Sequence, residues 1–233
     1  MNRGLDLRIG ARGWNHPAWV DQYYPNDLPE EWRLAYYANE FRSVSIPSNE
    51  WLFSDQEKIV QWSNDIHEDF RFILEWPLES LINSQNNKAE LEKIIEPIFS
   101  RISGLLILVT NENNSILVKD FTNLPQWCNK YPVHIEFNNS VPDYLRQEMI
   151  NKFHAQPCWS TGELKRHNLH QDLALGLIQS SPALSLKELR QQIESFILYA
   201  AGCREAVLLF SGKPPSIDSM QNAKIISELL IPS

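Results

Sequence analysis

The stretch Gly104-Leu105-Leu106-Ile107-Leu108-Val109-Thr110 decides the fold class, because it places five large apolar residues in succession. A strand with one face in water would instead alternate apolar and polar residues. A short, continuous apolar run is typical of a parallel strand that is covered on both faces. The stretch therefore predicts an α/β protein with a parallel sheet.

Seven further runs rich in aliphatic and β-branched residues alternate with longer segments of helical spacing, which is the pattern of βαβ units. The eight predicted strands are Leu7–Ala11, Ser43–Pro47, Phe70–Trp76, Gly104–Thr110, Val133–Phe137, Ala155–Ser160, Asp172–Gln179 and Glu205–Phe210. The predicted helices are Asp55–Ile66, Lys88–Ile102, Leu117–Cys128, Pro142–Phe153, Ser185–Ala201 and Ile217–Leu230. Ser185 and Glu188 have the spacing of a capping box, which marks the start of one helix.

Eight successive units favour a closed (β/α)8, TIM-like barrel over an open sheet, because closure removes both sheet edges. The segment Thr161–Gln171 is too short for a crossover helix, so the sixth helix is expected to be missing or shortened. A length of 233 residues predicts a single domain over residues 1–233. The residues expected on buried strands are Leu7, Ile9, Val44, Ile46, Phe72, Leu106, Leu108, Ile135, Leu175, Leu177, Val207 and Leu209.

Composition narrows the partners and the compartment. The formal net charge of -8 leaves no positive excess for a phosphate backbone, which argues against duplex nucleic acid as a partner. Three widely spaced cysteines do not form a disulfide framework, so a reducing cytoplasm is expected. No apolar run reaches the roughly 18 residues of a membrane span, and we expect no membrane association.

The C-terminal ends of barrel strands form the working face of such folds, so polar and aromatic residues there are the first candidates for a site. We expect these residues to line the principal pocket. The expected ligand of this pocket is a neutral or cationic polar small molecule rather than a phosphate-rich one. The ligand-binding candidates are Arg12, Trp14, His16, Asn49, Trp51, Glu75, Glu136 and Asn138.

Each candidate has a structural alternative. Trp14, Trp51 and Trp76 offer flat walls for a sugar or base, but tryptophans near a barrel mouth also cap the core. Glu75 and Glu136 are suited to an acid/base pair, but an arginine such as Arg12 would equally neutralise a strand-end glutamate.

Motifs for metals and cofactors are weak. His167-x-x-His170 lacks a carboxylate or cysteine at matching spacing, so no metal site is expected. Neither a GxSxG elbow nor a GxxxxGK[ST] loop occurs, and no cofactor is expected. The catalytic residues, if any exist, are not identified by these patterns.

The N-terminal third carries a more specific pattern, and weaker matches in the same order follow along the chain. Its elements are Ile9-Gly10, Gly13-Trp14-Asn15-His16, Trp19, Tyr24-Pro25, Leu28-Pro29, Tyr36-Tyr37-Ala38, Phe41 and Val44. With these residues the chain resembles the YecE-like family, which is also called domain of unknown function 72. The resemblance implies a (β/α)8 barrel and does not supply a biochemical activity.

The chain departs from the family pattern mainly at polar strand-end positions. In the segment Val44–Trp51, Ser45 occupies a position where the family usually has a glutamate. Glu75 occupies a position where the family usually has a lysine. Asn138 replaces an arginine, and Gly176-Leu177-Ile178-Gln179 replaces an Arg-x-His-Gly stretch. Ser211-Gly212 replaces two asparagines.

Two functions remain open at this stage. One is a degenerate family member that uses the barrel as a small-ligand-binding or interaction module. The other is an enzyme that acts on a sugar-like or other polar metabolite, with acid/base carboxylates at the barrel mouth. The protein partner is unknown.

Overall fold

All eight predicted strand regions form strands in the computed structural model, which describes residues 4–76, 88–109, 126–138, 141–160, 172–180 and 184–231. The nine observed strands are β1 (Asp6–Arg12), β2 (Ser43–Ile46), β3 (Arg71–Trp76), β4 (Ile102–Val109), β5 (Val133–Phe137), β6 (Gln156–Pro157), β7 (Trp159–Ser160), β8 (Leu173–Gln179) and β9 (Glu205–Ser211). Every strand pairing with a defined register is parallel.

One segment that was predicted to form a single strand is interrupted in the structure. The segment Ala155–Ser160 is two short strands, β6 and β7, which pair with β5 and β8 respectively. The break lies at Cys158, whose backbone N–H donates to the carbonyl of Ile135. Pro157 in β6 has no N–H to donate, so it cannot extend a regular ladder.

The helices that the structure describes are α1 (Arg33–Ala38), α2 (Ser48–Trp51), α3 (Gln56–Asn64), α4 (Lys88–Ile95), α5 (Asp143–Phe153), α6 (Leu186–Tyr199) and α7 (Ile217–Leu230). Short 3-10 helices occupy Pro17–Trp19, Glu30–Trp32, Glu96–Arg101 and Gln126–Lys130. The capping box at the start of α6 is confirmed. The predicted short or missing sixth helix, and most of the helix Leu117–Cys128, lie outside the described residues.

The first compact unit comprises Met1–Ser45, Asp65–Arg71 and Trp159–Ser233. Its strands follow the order β2-β1-β9-β8-β7. At the start of β1 the buried Arg8 side chain binds the carboxylates of Asp6 and Glu205, the latter at 3.0 Å. This ion-pair group fixes the N-terminal ends of β1 and β9.

The second compact unit comprises Ile46–Asn64 and Phe72–Cys158, and its strands follow the order β6-β5-β4-β3. Helix α5 places Leu145, Met149 and Phe153 in its core. The register aligns Glu75 of β3, Leu106 of β4, His134 of β5 and Gln156 of β6 in one row. The expectation of a single domain over residues 1–233 stays a prediction.

Eleven of the twelve residues expected on buried strands are buried, as a parallel sheet covered on both faces requires. The prediction that Leu108 is buried was wrong, because this residue is only half-buried. It is the register partner of Glu136, which is also half-buried, whereas Leu106 two residues earlier is fully buried. The pair Leu108 and Glu136 is therefore less covered than the pair Leu106 and His134, two residues earlier on the same strands. Within the described part of the chain, no helix has the length and apolarity to cross a membrane.

Candidate functional site

Four polar side chains lie side by side at the C-terminal ends of four neighbouring strands in the first unit. Arg12 of β1 is in register with Ser45 of β2, and Gln179 of β8 is in register with Ser211 of β9. Arg12 also lies beside Ser211, one residue beyond the last registered pair of β1 and β9. We call Ser45, Arg12, Ser211 and Gln179 the strand-end row.

The strand-end row lies on the sheet face opposite helix α6. A Cβ atom on Gly176 of β8 would lie 2.7 Å from the ring of Phe196 in α6, so that side of Gly176 faces the helix. Successive strand residues alternate between faces, so Gln179, three residues later, points the other way. Register partners share a face, and the rest of the row therefore points the same way as Gln179.

Hydrogen bonds within the first unit fix one end of the row. The Ser211 hydroxyl donates to Gln179 Oε1 at 2.9 Å, which orients the amide. The Ser180 hydroxyl donates to the Ser211 carbonyl at 3.2 Å and accepts from the backbone N–H of Ser216 at 3.0 Å. These bonds hold β8, β9 and the start of α7 together beneath Gln179.

A turn after β1 brings His16 back against Arg12. Gly13 has a φ of 76°, a left-handed conformation that glycine adopts without a steric penalty, and its N–H donates to the Ser45 carbonyl at 2.9 Å. The His16 ring then bonds through Nε2 to the Arg12 carbonyl at 3.0 Å and meets the Trp19 ring edge-on, with 4.4 Å between centroids. The Trp19 indole donates to the Pro215 carbonyl at 2.9 Å, which anchors the turn.

Burial lowers the pKa of His16, and the nearby Arg12 guanidinium lowers it further. Hydrogen bonds to the backbone at Arg12 and Gly13 raise the pKa; each has a smaller effect than burial and a larger one than the Arg12 charge. His16 is therefore neutral at pH 7 and donates from Nε2 to the Arg12 carbonyl. In this role it supports the strand-end row and adds no charge to it.

The aromatic residues near the N-terminus build the core of the first unit. Trp14 is buried, and its carbonyl accepts a hydrogen bond from the Tyr24 hydroxyl at 2.6 Å. Trp19 stacks on Tyr37, whose hydroxyl donates to the Ser43 carbonyl and accepts from the Ala11 N–H. For Trp14, burial favours the core-capping alternative over ligand stacking.

In the second unit, Trp51 also packs in the core rather than on a surface. Its indole donates to the Glu75 carbonyl at 2.9 Å, and its ring lies against Trp76 with 5.2 Å between centroids. The Glu75 side chain is only 3% exposed, whereas Asn49 on α2 is exposed. Of these candidates, Glu75 is a buried carboxylate on a strand and Asn49 is a surface residue.

Glu136 and Asn138 occupy the C-terminal end of β5. The Asn138 N–H donates to the Val109 carbonyl at 2.9 Å, and the Asn138 carbonyl accepts from Arg146 Nη2 at 3.0 Å. Arg146, on α5, also donates to the Val141 carbonyl at 2.9 Å and lies over the Phe137 ring. An arginine from α5 therefore reaches the strand end at Asn138, the position where the family resemblance implies an arginine.

The structure brings together Arg12 and His16 in one unit, and Trp51 with Glu75 in the other. Sequence reasoning omitted Ser45 from its candidate residues, together with Ser211 and Gln179. The signal that could have identified these three residues was their position at strand ends, where the chain also departs from the pattern that the family resemblance implies. Among the described residues, no group of three or more His, Cys, Asp or Glu side chains could hold a metal ion.

Comparisons with known proteins agree on one family. A family model described as protein of unknown function DUF72 matches residues 8–231. No match was found among curated proteins.

Solved structures show what the fold is. A DUF72 family protein of Enterococcus faecalis is 15% identical, with a TM-score of 0.69 over 98% of this chain and 99% of that one. A DUF72 family protein of Thermotoga maritima is 15% identical, with a TM-score of 0.66 over 96% and 99%. D-psicose 3-epimerase is 9% identical, with a TM-score of 0.59 over 97% and 100%. The fold is an α/β, TIM-like barrel, and the chain belongs to the DUF72, or YecE-like, family.

Proposed function

We propose that this chain is a degenerate member of its family that binds a neutral polar small molecule at the strand-end row. The observation that supports this most is the register, which places four polar side chains on one face of four adjacent strands. Carboxyl ends of parallel strands are the usual ligand-binding edge of α/β folds. Arg12 and Gln179 are exposed there, so a ligand can reach them.

The chemistry of the row suits a ligand with several hydroxyl groups. Arg12 supplies N–H donors, whereas Gln179 and Ser211 each combine donor and acceptor groups. Ser45 stands where the family has a glutamate, and Gln179 closes a stretch where the family has Arg-x-His-Gly. The replacement at Ser45 substitutes a neutral hydroxyl for a charged group in the row, which favours a sugar-like or polyol ligand over a strongly charged one.

Calorimetric titration tests this proposal with unphosphorylated and phosphorylated sugars. D-fructose is a suitable first probe because D-psicose 3-epimerase, a neighbour in fold, was crystallised in its presence. We expect D-fructose or another neutral sugar to bind more tightly than its phosphate. Gln179→Leu should weaken binding by roughly 10-fold, as expected for the loss of one or two hydrogen bonds.

Matched controls keep the test specific. Gln22→Leu changes an exposed glutamine outside the row, and Arg190→Met changes an exposed arginine on α6. Both variants should bind the sugar as the unmodified protein does, whereas Arg12→Met should not. Tighter binding of the sugar phosphate, lost in Arg12→Met, would show that the row recognises anions.

A second candidate function is an enzyme that uses Glu75 and Glu136 as acid and base. What favours it is that the two carboxylates differ in environment, because Glu75 is buried and Glu136 is half-buried. Incubation with the same sugars, followed by NMR detection of new products, tests it. Turnover that disappears in both Glu75→Gln and Glu136→Gln would favour the enzyme over the binding module.

The remaining expectations complete the proposal. The three cysteines are buried thiols, which supports residence in a reducing cytoplasm. The net charge of -8 supports the proposed absence of duplex nucleic acid as a partner. No membrane association, cofactor or metal is proposed, and the protein partner is left open.

A further inference from the structure

A block of four chemically active side chains lies on β5 and β6 in the second unit. His134 is in register with Gln156, and Ile135 is in register with Pro157. One residue further along, Glu136 therefore lies beside Cys158. We call His134, Glu136, Gln156 and Cys158 the β5–β6 block.

The β5–β6 block faces away from helix α5. Phe137 of β5 turns its ring toward α5, where Arg146 lies 5.5 Å from the ring centroid. Because strand residues alternate between faces, His134 and Glu136 point to the opposite side. Register partners share a face, so Gln156 points there too, and Cys158 follows directly after β6.

The block is largely withdrawn from water, and it includes a buried acceptor that no described residue satisfies. His134, Gln156 and Cys158 are 0%, 6% and 4% exposed. Among the atoms of the described residues, Gln156 Oε1 has no hydrogen-bond partner. A buried amide oxygen without a donor is costly in folded proteins, so this oxygen has the capacity to accept a hydrogen bond from a ligand.

Glu136 adds a second acceptor to the same place. Burial raises the pKa of the Cys158 thiol well above its usual range, and the nearby Glu136 carboxylate raises it further. Cys158 therefore stays a protonated thiol that is unsuited to nucleophilic attack. The block offers acceptors on both strands and excludes thiolate chemistry.

We propose that the β5–β6 block binds the protonated primary amine of a small ligand. An ammonium group supplies three N–H donors, which suit Gln156 Oε1 and the Glu136 carboxylate at once, and its charge is opposite to that of Glu136. A neutral hydroxyl supplies one donor and no charge, and a carboxylate supplies no donor and has a charge of the same sign as that of Glu136. The proposal does not depend on the strand-end row, because no residue is shared between them.

Three two-carbon probes that differ in one functional group test this assignment: ethanolamine, ethylene glycol and glycolate. The measurement is NMR of the protein with ¹⁵N-labelled glutamine, in which the signal absent from Gln156→Leu identifies the Gln156 amide. We expect ethanolamine to shift this signal saturably at roughly millimolar concentration, as is usual for so small a ligand. Ethylene glycol should bind at least 10-fold more weakly, and glycolate should leave the signal in place.

Variants separate ligand binding from a structural role. Glu136→Gln removes the charge but keeps the shape, and it should weaken ethanolamine binding by 10-fold or more. Gln192→Leu changes another amide whose oxygen has no partner among the described residues, and it should leave binding unchanged. Equal shifts from all three probes, or no shift from any of them, would overturn the proposal and indicate that water satisfies Gln156 Oε1.

Discussion

The strand-end row of the first unit and the β5–β6 block of the second place polar groups at different depths of a parallel sheet. Arg12 and Gln179 are the last residues of their strands and are exposed. His134 and Gln156 come before the last residues of their strands and are buried. An exposed polar group keeps its hydration, whereas a buried one must find partners or lose stability.

The strand-end row and the β5–β6 block also differ in which groups supply their hydrogen bonds. Within the strand-end row, Ser211 and Gln179 bond to each other, and Ser180 secures the Ser211 carbonyl. In the β5–β6 block, Gln156 Oε1 finds no donor among the described residues. The row is therefore suited to exchange ligands with solvent, and the block is suited to enclose one donor group.

The substitution with the largest expected effect tests whether the pairing of β1 with β2 holds the strand-end row in register. A Cβ on Gly10 would lie 2.1 Å from the backbone oxygen of Ser43, which cannot move without separating the two strands. We expect Gly10→Ala to lower the free energy of unfolding by more than about 3 kcal/mol. Urea unfolding measures the loss, and hydrogen exchange should show it in β1 and β2.

Gly176→Ala is the matched control for this substitution. Its added Cβ would approach the side chains of Phe196 and Leu208, which can shift, and not a backbone atom. We expect a cost of about 1–2 kcal/mol, smaller than that of Gly10→Ala. Equal costs for the two variants would mean that the close approach of β1 and β2 is not what holds the row in register.

A matched tryptophan pair compares the cores of the two units. Trp19 in the first unit and Trp51 in the second are fully buried, and each donates its indole N–H to a backbone carbonyl at 2.9 Å. Replacement of either by Phe removes volume and leaves that carbonyl without its donor. We expect each to cost about 2–3 kcal/mol in urea unfolding.

Hydrogen exchange distinguishes the two tryptophan variants. Trp19→Phe should increase exchange mainly in β1 and β9, and Trp51→Phe mainly in β3 and β4. If either variant increased exchange equally throughout the described strands, the two units would unfold as one cooperative body.

The strands could be predicted because continuous apolar runs leave little choice of structure. Leu173–Gln179 and Val133–Phe137 both form where the sequence pattern places them. The helices α1 and α2 were missed, since six and four residues are too few to show a helical period. The split at Cys158 depends on which strands β6 and β7 pair with, and local sequence does not encode that.

Strand ends were also predictable, but the neighbours across strands were not. Arg12 was a candidate because of its place in the chain. The register that aligns Ser45 with Arg12, and His134 with Gln156, joins residues distant in sequence. His134 and Glu136 do alternate on one strand, a signal that could have drawn attention to His134.

A smaller effect is expected at the turn that supports the strand-end row. Gly13 has a φ of 76°, and a side chain in that conformation carries a steric penalty of roughly 1–2 kcal/mol. Gly13→Ala should lower stability by about that amount and loosen the contact between His16 and the Arg12 carbonyl. The His16 ring signals in NMR should shift in this variant. Unchanged ring signals would show that the turn does not position His16.

The smallest expected effect is a pH dependence of stability that arises from His16. Its pKa in the folded protein lies below the usual value of 6.5, chiefly because of burial, to which the Arg12 charge adds a small further lowering. Between the folded pKa and 6.5 the unfolded chain binds the proton more readily, so stability falls as the pH is lowered through this window. Below the folded pKa the loss of stability is complete and constant.

Urea unfolding from pH 7.5 to 5 should therefore show a shallower fall in stability for His16→Gln than for the unmodified protein. His67→Gln, which changes an exposed histidine, should keep the original slope. If His16→Gln kept it as well, the carboxylates would account for the whole pH dependence, and the neutral state of His16 beside Arg12 would contribute nothing to stability in this range.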